Sequence, residues 1–262
     1  MGNLSLIIPA HNEENHILKT IQDYSSIKSI KEIVVICDGT DNTARVANNN
    51  KNNKITVLEY NKRLGKGGAI IEGLKKAKCE FVGYVDADGS IPYKEYEKLI
   101  NKLINSEDHL GIVGSRFRTR SKSKMPLLRI FLSRSFNILV NTLFCLDIED
   151  TQCGAKIFKK TVIDKIIPKL GLTGWAFDVE LLFRSKQYGK IAEEHIEYNH
   201  RMKSKIDIIK TPLKMFLSVI RLWLILRTPL PKIKIPRWII TPIYRFLNDE
   251  TNLLVLNDAK LI

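Results

Sequence analysis

Two carboxylates one residue apart, Asp86 and Asp88, directly follow the apolar run Phe81–Val85. A short run rich in β-branched and aromatic residues predicts a buried strand, here one that delivers acid groups at its C-terminal end. Neighbouring carboxylates repel each other, and a hard divalent cation that also binds a diphosphate would relieve that repulsion. An Asp-rich turn with solvated charges is the alternative, because the pattern is short.

The chain up to and including this strand repeats one pattern of apolar strand, polar loop and helix. Strands are predicted over Leu4–Ile8, Glu32–Cys37, Ile55–Tyr60 and Phe81–Val85, and Asn, Asp, Gly or Lys residues gather where they end. This alternation predicts an α/β fold with a mainly parallel central sheet that is flanked by helices on both faces. The polar side chains at the strand ends would then lie along one edge of the sheet, where a nucleotide would bind.

Two of the loops at this edge carry polar or charged residues that could have specific roles. Asn12 is a plausible N-cap for the first helix, with Glu13 at the positive helix end. The segment Gly65–Gly68 is either a flexible turn or a loop whose Lys66 and backbone N–H groups lie near a phosphate. A dinucleotide-binding Gly-x-Gly-x-x-Gly is absent after the first strand and a P-loop Ser or Thr is absent after Lys66, so both nucleotide-binding classes are disfavoured.

The net charge of +14 implies an anionic partner: a nucleic acid, an acidic membrane surface or a phosphorylated substrate. The basic residues cluster in Arg116–Lys124, in a predicted helix from Leu127 to Leu146 and in His200–Lys205. Stacking aromatics on a sheet do not accompany them, so we do not expect a nucleic acid. A solvated loop is the alternative for the first cluster.

The cysteines and the N-terminus restrict the setting of the protein. Four widely separated cysteines form no Cys-x-x-Cys pair, and the histidines lack metal-ligand spacing, so zinc is disfavoured and a reducing compartment is expected. Leu4–Ile8 is too short for the apolar part of a signal peptide, and a run of about 18 apolar residues is missing. We therefore expect no signal peptide or spanning helix, and a peripheral protein on the cytoplasmic face of a membrane.

The chain changes character after Ile206. Met215–Leu226 contains one charge, Arg221, and amphipathic segments with Trp238 and Tyr244 follow two prolines. Such helices fit the membrane interface, with basic groups on anionic lipid phosphates. We therefore predict a catalytic domain over residues 1–205 and amphipathic membrane-interface helices over residues 206–262. A helical pair that packs on the core or in a dimer interface is the alternative.

Four motifs resemble glycosyltransferase family 2 and its GT-A fold: Pro9–Glu14, Asp38–Thr40, Asp86–Gly89 and Gly114–Arg116. Two later segments, Asp150–Lys156 and Trp175–Leu182, are similar to the polyprenyl-phosphate sugar synthases of that family. Within that group the chain looks most similar to dolichyl-phosphate glucose synthases, with dolichyl-phosphate mannose synthases next. The resemblance covers roughly Leu4 to Lys205, and the last two segments are the most specific.

The resemblance implies inverting transfer of a hexose from a nucleotide diphosphate sugar to polyprenyl or dolichyl phosphate. Glucose from UDP-glucose is favoured, because Ser90 stands where mannose synthases commonly carry Gln. Cys37 stands where many relatives have a second acid beside Asp38. One alternative is transfer of mannose from GDP-mannose, and another is a soluble acceptor in place of the lipid. A third is a non-catalytic basic membrane-binding module.

The resemblance also implies roles for individual residues. Asp86 and Asp88 would hold Mg²⁺ or Mn²⁺. The nucleotide sugar would contact Pro9, Ala10, Asn12, Glu13, Asp38 and Asp86. Lys66, in the Gly65–Gly68 segment, would contact it as well. The sugar would face Gln152, Asp178 and Glu180; from the residues alone, the last two are equally well helix-start charges. The lipid phosphate would lie against Arg116, Arg129, Ser133, Arg201, Ser204 and Lys205.

Overall fold

The structure, a computed structural model, describes residues 2–50, 52–117, 127–172, 174, 176–199 and 210–227, with the backbone alone for 127–131, 210–213 and 225–227. Its strands are β1 (Leu4–Ala10), β2 (Ile30–Cys37), β3 (Ile55–Glu59), β4 (Phe81–Val85), β5 (His109–Ser115), β6 (Ala155–Lys159) and β7 (Lys190–His195). Its helices are α1 (Ile17–Ser25), α2 (Thr43–Asn49), α3 (Gly65–Lys76), α4 (Tyr93–Ile104), α5 (Leu127–Phe144), α6 (Lys160–Ile166), α7 (Phe177–Lys186) and α8 (Lys210–Arg227).

The strands form one seven-stranded sheet in the order β3-β2-β1-β4-β6-β5-β7. All neighbours pair in parallel except β6, which runs antiparallel to both β4 and β5. The predicted α/β architecture is confirmed, but the sequence did not suggest β6. Lys156 interrupts its apolar pattern, and this lysine is nevertheless fully buried, because its ammonium group donates to the Cys153 carbonyl and the Asp178 carboxylate.

Helices cover both faces of the sheet, and each face has its own hydrophobic core. Alternate β1 residues point to opposite faces: Leu6 and Ile8 pack with α1 and α4, whereas Ile7 packs with α3 and α7. Both cores consist of almost fully inaccessible aliphatic and aromatic side chains. The central strands β1, β2 and β4 are largely buried on both sides, and the polar residues that follow their C-terminal ends lie along one edge of the sheet.

Two sequence predictions about helix starts are wrong. α1 begins at Ile17, and Asn12 lies in the left-handed region with φ 55°, where its Oδ1 accepts hydrogen bonds from Thr40 N–H and Asp41 N–H. The predicted loop Gly65–Gly68 is the first turn of α3. A carboxylate oxygen of Asp38 accepts hydrogen bonds from Leu64 N–H and Gly65 N–H, which stabilises this helix start, and Gly65 supplies the required φ of 75°.

α8 packs through one face on the protein core. Val219 and Leu222 are buried in the same cluster as Val140 and Phe144 of α5. The opposite side leaves Phe216, Leu217 and Leu224 substantially exposed. Within the described ranges, every helix is too short or too polar to cross a bilayer. The predicted interfacial segments after Arg227 lie outside the described residues, and the domain boundary after residue 205 remains a prediction.

Lys186 on α7 fixes the turn that follows α5. Its ammonium group donates to the carbonyl oxygens of Cys145 and Leu146, at 2.8 and 2.7 Å, and to the Asp147 carboxylate at 2.6 Å. Cys145 and Asp147 both have φ 52°, so the turn contains two unfavourable backbone conformations. We expect Lys186→Met to lower the free energy of unfolding by about 1–2 kcal/mol, measured by urea denaturation.

Lys160 provides a matched control, because among the described residues its ammonium group pairs only with the exposed Asp164, one turn along α6. Lys160→Met should change the free energy of unfolding by less than about 0.5 kcal/mol. Equal effects of the two substitutions would contradict the proposed role of Lys186.

Candidate active site

Asp86 and Asp88 lie where β4 ends, as predicted. The Asp86 side chain is 33% exposed, and Asp88 is partly exposed. Asp88 Oδ1 accepts a hydrogen bond from Ser90 N–H at 2.9 Å, and Gly89 between them has φ 65°. This turn holds the Asp88 carboxylate next to β4 and leaves its second oxygen outside the turn hydrogen bond.

Lys66 reaches this pair from the first turn of α3. Its Nζ lies 3.0 Å from Asp86 Oδ1 and 3.7 Å from Asp178 Oδ2. Burial alone would lower the pKa of Lys66, but the two carboxylates outweigh burial and raise that pKa above its ordinary value. The lysine therefore carries a positive charge between two acids.

Asp178, at the start of α7, is held in a buried network. Its Oδ1 accepts hydrogen bonds from Lys156 Nζ, at 2.6 Å, and from the Tyr84 hydroxyl. Burial would raise the pKa of Asp178, but the ammonium groups of Lys156 and Lys66 and the Tyr84 hydroxyl hold it below its usual range. Asp178 is thus ionised at neutral pH, and its Oδ2 accepts no hydrogen bond from the described part of the chain.

Gly154 lies against Asp86 because β6 runs next to β4. A Cβ at this position would lie 1.9 Å from Asp86 Oδ2, so any larger residue must displace the carboxylate. We expect Gly154→Ala to lower kcat/KM for the sugar transfer that the resemblance implies by about 10²-fold, because a displaced Asp86 carboxylate would misplace the reacting groups. Gly73→Ala is the control, since its added Cβ meets Ile7 in the core instead of Asp86. If the two variants lose equal activity at equal stability, the role assigned to Gly154 is wrong.

The loops after β1 and β2 lie together at the same edge. Pro9 and Ala10 end β1, Asn12 ties its loop to the Thr40–Asp41 backbone, and Glu13 N–H donates to the Thr43 hydroxyl. Asp38 is buried, and its carboxylate contacts both His11 and the start of α3. The structure thus brings the five predicted nucleotide contacts of these loops together, although Asp38 already stabilises α3.

Arg116 follows β5 and forms a bidentate pair with Asp150. Its Nε and Nη2 donate to the two Asp150 oxygens at 2.6 and 2.8 Å, and its guanidinium lies over the Tyr198 ring at 5.4 Å. Burial would raise the pKa of Asp150, but Arg116 holds it below its ordinary value. Glu193 on β7 accepts hydrogen bonds from Glu149 N–H and Asp150 N–H, which fixes this acid in turn.

The other predicted phosphate ligands are only partly described. Ser133 is partly buried on α5, and next to it Arg134 lines an open cavity of about 400 Å³ together with Phe117, Asn137, Ile138, Asn141 and Glu149. The Arg129 side chain, Arg201, Ser204 and Lys205 lie outside the described residues.

Glu180 and Gln152 have different surroundings. Glu180 Oε2 accepts hydrogen bonds from Gly171 N–H and Leu172 N–H, and its Oε1 pairs with Arg184. Both oxygens of Glu180 therefore stabilise the start of α7 and the segment before it. By contrast, Gln152 Nε2 is buried without a hydrogen-bond partner among the described residues.

The residues at the β4 tip fit a divalent cation that a diphosphate also binds. The described ranges hold no cluster of three or more His, Cys, Asp or Glu residues suited to a metal. Mg²⁺ is usually held by one or two carboxylates with water and substrate phosphates, which matches the two hard oxygen ligands Asp86 and Asp88. The structure also adds to the site three residues that the sequence did not indicate: Tyr84, Asp150 and Lys156. Asp150 and Lys156 lie in one of the two segments whose resemblance to the family was most specific.

Comparison with known proteins identifies the family of this chain. The model of glycosyl transferase family 2 matches residues 5–167. A dolichyl-phosphate beta-glucosyltransferase of Dictyostelium discoideum is 32% identical over 241 residues, 84% of this chain and 73% of that protein. Proteins of the same name from Saccharomyces cerevisiae and Homo sapiens are also 32% identical, over 81% and 75% of this chain and 71% and 66% of theirs.

Solved structures share the fold at lower identity. Glucosyl-3-phosphoglycerate synthase of Mycobacterium tuberculosis, crystallised with Mn²⁺, UDP and glucosyl-3-phosphoglycerate, has a TM-score of 0.64 and 17% identity over 83% of this chain and 80% of its own. Mannosyl-3-phosphoglycerate synthase of Rubrobacter xylanophilus has a TM-score of 0.64 and 15% identity over 91% of this chain and 80% of its own. From the family match, the relatives and the fold, this chain belongs to glycosyltransferase family 2.

Proposed function

We propose that this protein transfers glucose from UDP-glucose to dolichyl or polyprenyl phosphate, with inversion at the anomeric carbon. The observation that carries the proposal is the charged cluster Lys66, Asp86, Asp88 and Asp178 at the sheet edge. It occurs in a chain whose relatives are named dolichyl-phosphate beta-glucosyltransferases. The product would be a lipid-linked glucose that can serve as a donor in later glycosylation.

Asp86 and Asp88 would hold Mg²⁺ or Mn²⁺ on the donor diphosphate. A bound divalent cation stabilises the negative charge that develops on the leaving diphosphate. Lys66 supplies a further positive charge at the same place, in a partly buried position where charge interactions are stronger than in water. The Mn²⁺ and UDP of the mycobacterial structure support this assignment.

The acceptor would attack without a strong base. A phosphate monoester has a second pKa of about 6, so it is already ionised near neutral pH and needs orientation more than deprotonation. Asp178, whose pKa is low, is a weak base. Its Oδ2 and the Gln152 Nε2 are polar atoms without hydrogen-bond partners among the described residues, and we assign both to the sugar hydroxyls. Glu180 would serve the structure of α7 instead.

The acceptor phosphate would approach from the α5 side. Asp150 uses Nε and Nη2 of Arg116, so Nη1 is the guanidinium nitrogen outside that pair. Arg116 would therefore present one N–H edge to the phosphate, with Ser133 and the predicted Arg129, Arg201, Ser204 and Lys205. The exposed Phe216, Leu217 and Leu224 of α8 and the charge of +14 support peripheral binding to an anionic membrane, for which we propose the cytoplasmic face.

A donor competition assay tests the proposal. The protein is incubated with dolichyl phosphate, Mn²⁺ and radiolabelled UDP-glucose or GDP-mannose, and label in the organic phase is counted. We expect transfer from UDP-glucose, with at most a hundredth of that rate from GDP-mannose. Preferential transfer of mannose would replace the glucose assignment. The loss of all transfer, with UDP still bound, would favour a non-catalytic binding module.

A further inference from the structure

Lys66 Nζ lies between two carboxylates that differ in how fully they are paired. Asp86 Oδ1 is 3.0 Å away, within hydrogen-bond distance, whereas Asp178 Oδ2 is 3.7 Å away. Asp178 Oδ1 is already bound by Lys156 and Tyr84, but its Oδ2 is buried and accepts no hydrogen bond from the residues described. A shift of less than 1 Å in this distance would bring Lys66 into hydrogen-bond contact with Asp178.

We propose that Lys66 is a movable counter-cation that pairs with Asp86 when the metal is absent and moves to Asp178 when a divalent cation enters with the nucleotide diphosphate. This inference rests on the proposed metal site at Asp86 and Asp88. It assigns Lys66 a function before donor binding, in addition to its contact with the donor, and it assigns Asp178 a function as the receiving group.

The charge balance supports this exchange. Lys66 and Lys156 offset Asp86 and Asp178, so these four charges sum to zero without a metal. A divalent cation on Asp86 would stand close to the Lys66 ammonium, and like charges at such distances repel strongly in a partly buried site. A nucleotide diphosphate supplies compensating negative charge. The metal should therefore bind weakly alone and much more tightly together with the nucleotide.

The surroundings permit movement of the side chain alone. The start of α3 is fixed because Asp38 accepts the N–H groups of Leu64 and Gly65. Asp178 is fixed by Lys156 and Tyr84. A lysine ammonium on a flexible four-carbon stem can change partners between two neighbouring acids without backbone motion. Arginine keeps the charge but has a wider planar head group, so it is the conservative variant.

The test measures Mn²⁺ binding by the EPR signal of free Mn²⁺, with and without UDP, for the parent chain, Lys66→Met and Lys66→Arg. Without UDP, we expect Lys66→Met to bind Mn²⁺ about tenfold more tightly than the parent chain, and Lys66→Arg to bind it as weakly as the parent. With UDP, the difference in Mn²⁺ affinity between Lys66→Met and the parent chain should become smaller or change sign. Equal nucleotide-free affinities of Lys66→Met and the parent would overturn the inference.

Asp88→Asn separates this failure from failure of the proposed function. If the parent binds Mn²⁺ with UDP and Asp88→Asn does not, the metal site stands, and the Lys66 comparison alone decides the inference. If Asp88→Asn binds Mn²⁺ as the parent does, the metal site itself is wrong and the inference falls with it.

A measurement on the parent chain covers the case in which Lys66→Met does not fold. With ¹³Cε-labelled lysine, the NMR signal that disappears in Lys66→Arg identifies Lys66. This signal should shift on addition of Mg²⁺ and UDP together, and remain in place with Mg²⁺ alone at the same concentration. An unchanged signal at saturation with both would overturn the inference.

Discussion

We expect Asp88→Asn to lower kcat/KM for sugar transfer by about 10³-fold, because the proposed metal would lose one of its two carboxylates and the leaving diphosphate would lose charge stabilisation. Asparagine keeps the side-chain oxygen that accepts Ser90 N–H, so the turn after β4 should survive. The unfolding free energy should therefore change by less than about 0.5 kcal/mol. Steady-state kinetics and urea denaturation on the same preparation measure both quantities.

Asp164→Asn is the matched control for this substitution. Asp164 is a half-exposed acid on α6 that pairs with Lys160, and it should tolerate the change without loss of activity. Near-parental transfer by Asp88→Asn, or undiminished transfer by the parent chain in excess chelator, would rule out the metal role.

The second large effect concerns stability. Asp150→Ala should lower the free energy of unfolding by about 3–5 kcal/mol, because it leaves the largely buried guanidinium of Arg116 without its counter-charge. Arg116→Met in the same chain should recover part of that loss, since an apolar side chain of similar length has no charge to desolvate. Urea denaturation of the parent, both single variants and the double variant gives the coupling energy directly.

A comparison cycle uses the exposed pair Lys160 and Asp164. That pair should show a coupling energy of at most about 0.5 kcal/mol. If the coupling energy of Arg116 and Asp150 is equally small, the bidentate contact does not stabilise the fold, and Arg116 would be kept mainly for its anionic ligand.

Local patterns made much of the fold and of the site predictable. Phe81–Val85 was predicted as a buried strand from its composition alone, and β4 has those bounds. The position of Asp86 and Asp88 at its end followed directly. Parallel strands with polar ends then predicted that the loops at Asn12 and Asp38 would lie near them, because such ends share one edge.

Contacts between residues that are far apart in the chain could not be predicted from the sequence. α3 begins at Gly65 because Asp38, 26 to 27 positions earlier, accepts its first N–H groups. The family resemblance implied that Arg116 binds the lipid phosphate, but its main described partner is Asp150, 34 positions later. The family resemblance grouped Glu180 with Asp178, yet the two acids have separate partners. In each case the partner is chosen by tertiary packing, which a one-dimensional pattern does not encode.

The most direct test of the proposed function compares two acceptors with one donor. The protein is incubated with radiolabelled UDP-glucose and Mn²⁺, and with either dolichyl phosphate in mixed micelles or 3-phosphoglycerate, the acceptor moiety named in the mycobacterial structure. We predict labelled glucose in the organic phase with dolichyl phosphate, in the β configuration expected for inversion, and no transfer to 3-phosphoglycerate. Transfer to 3-phosphoglycerate with an unlabelled organic phase would contradict the account.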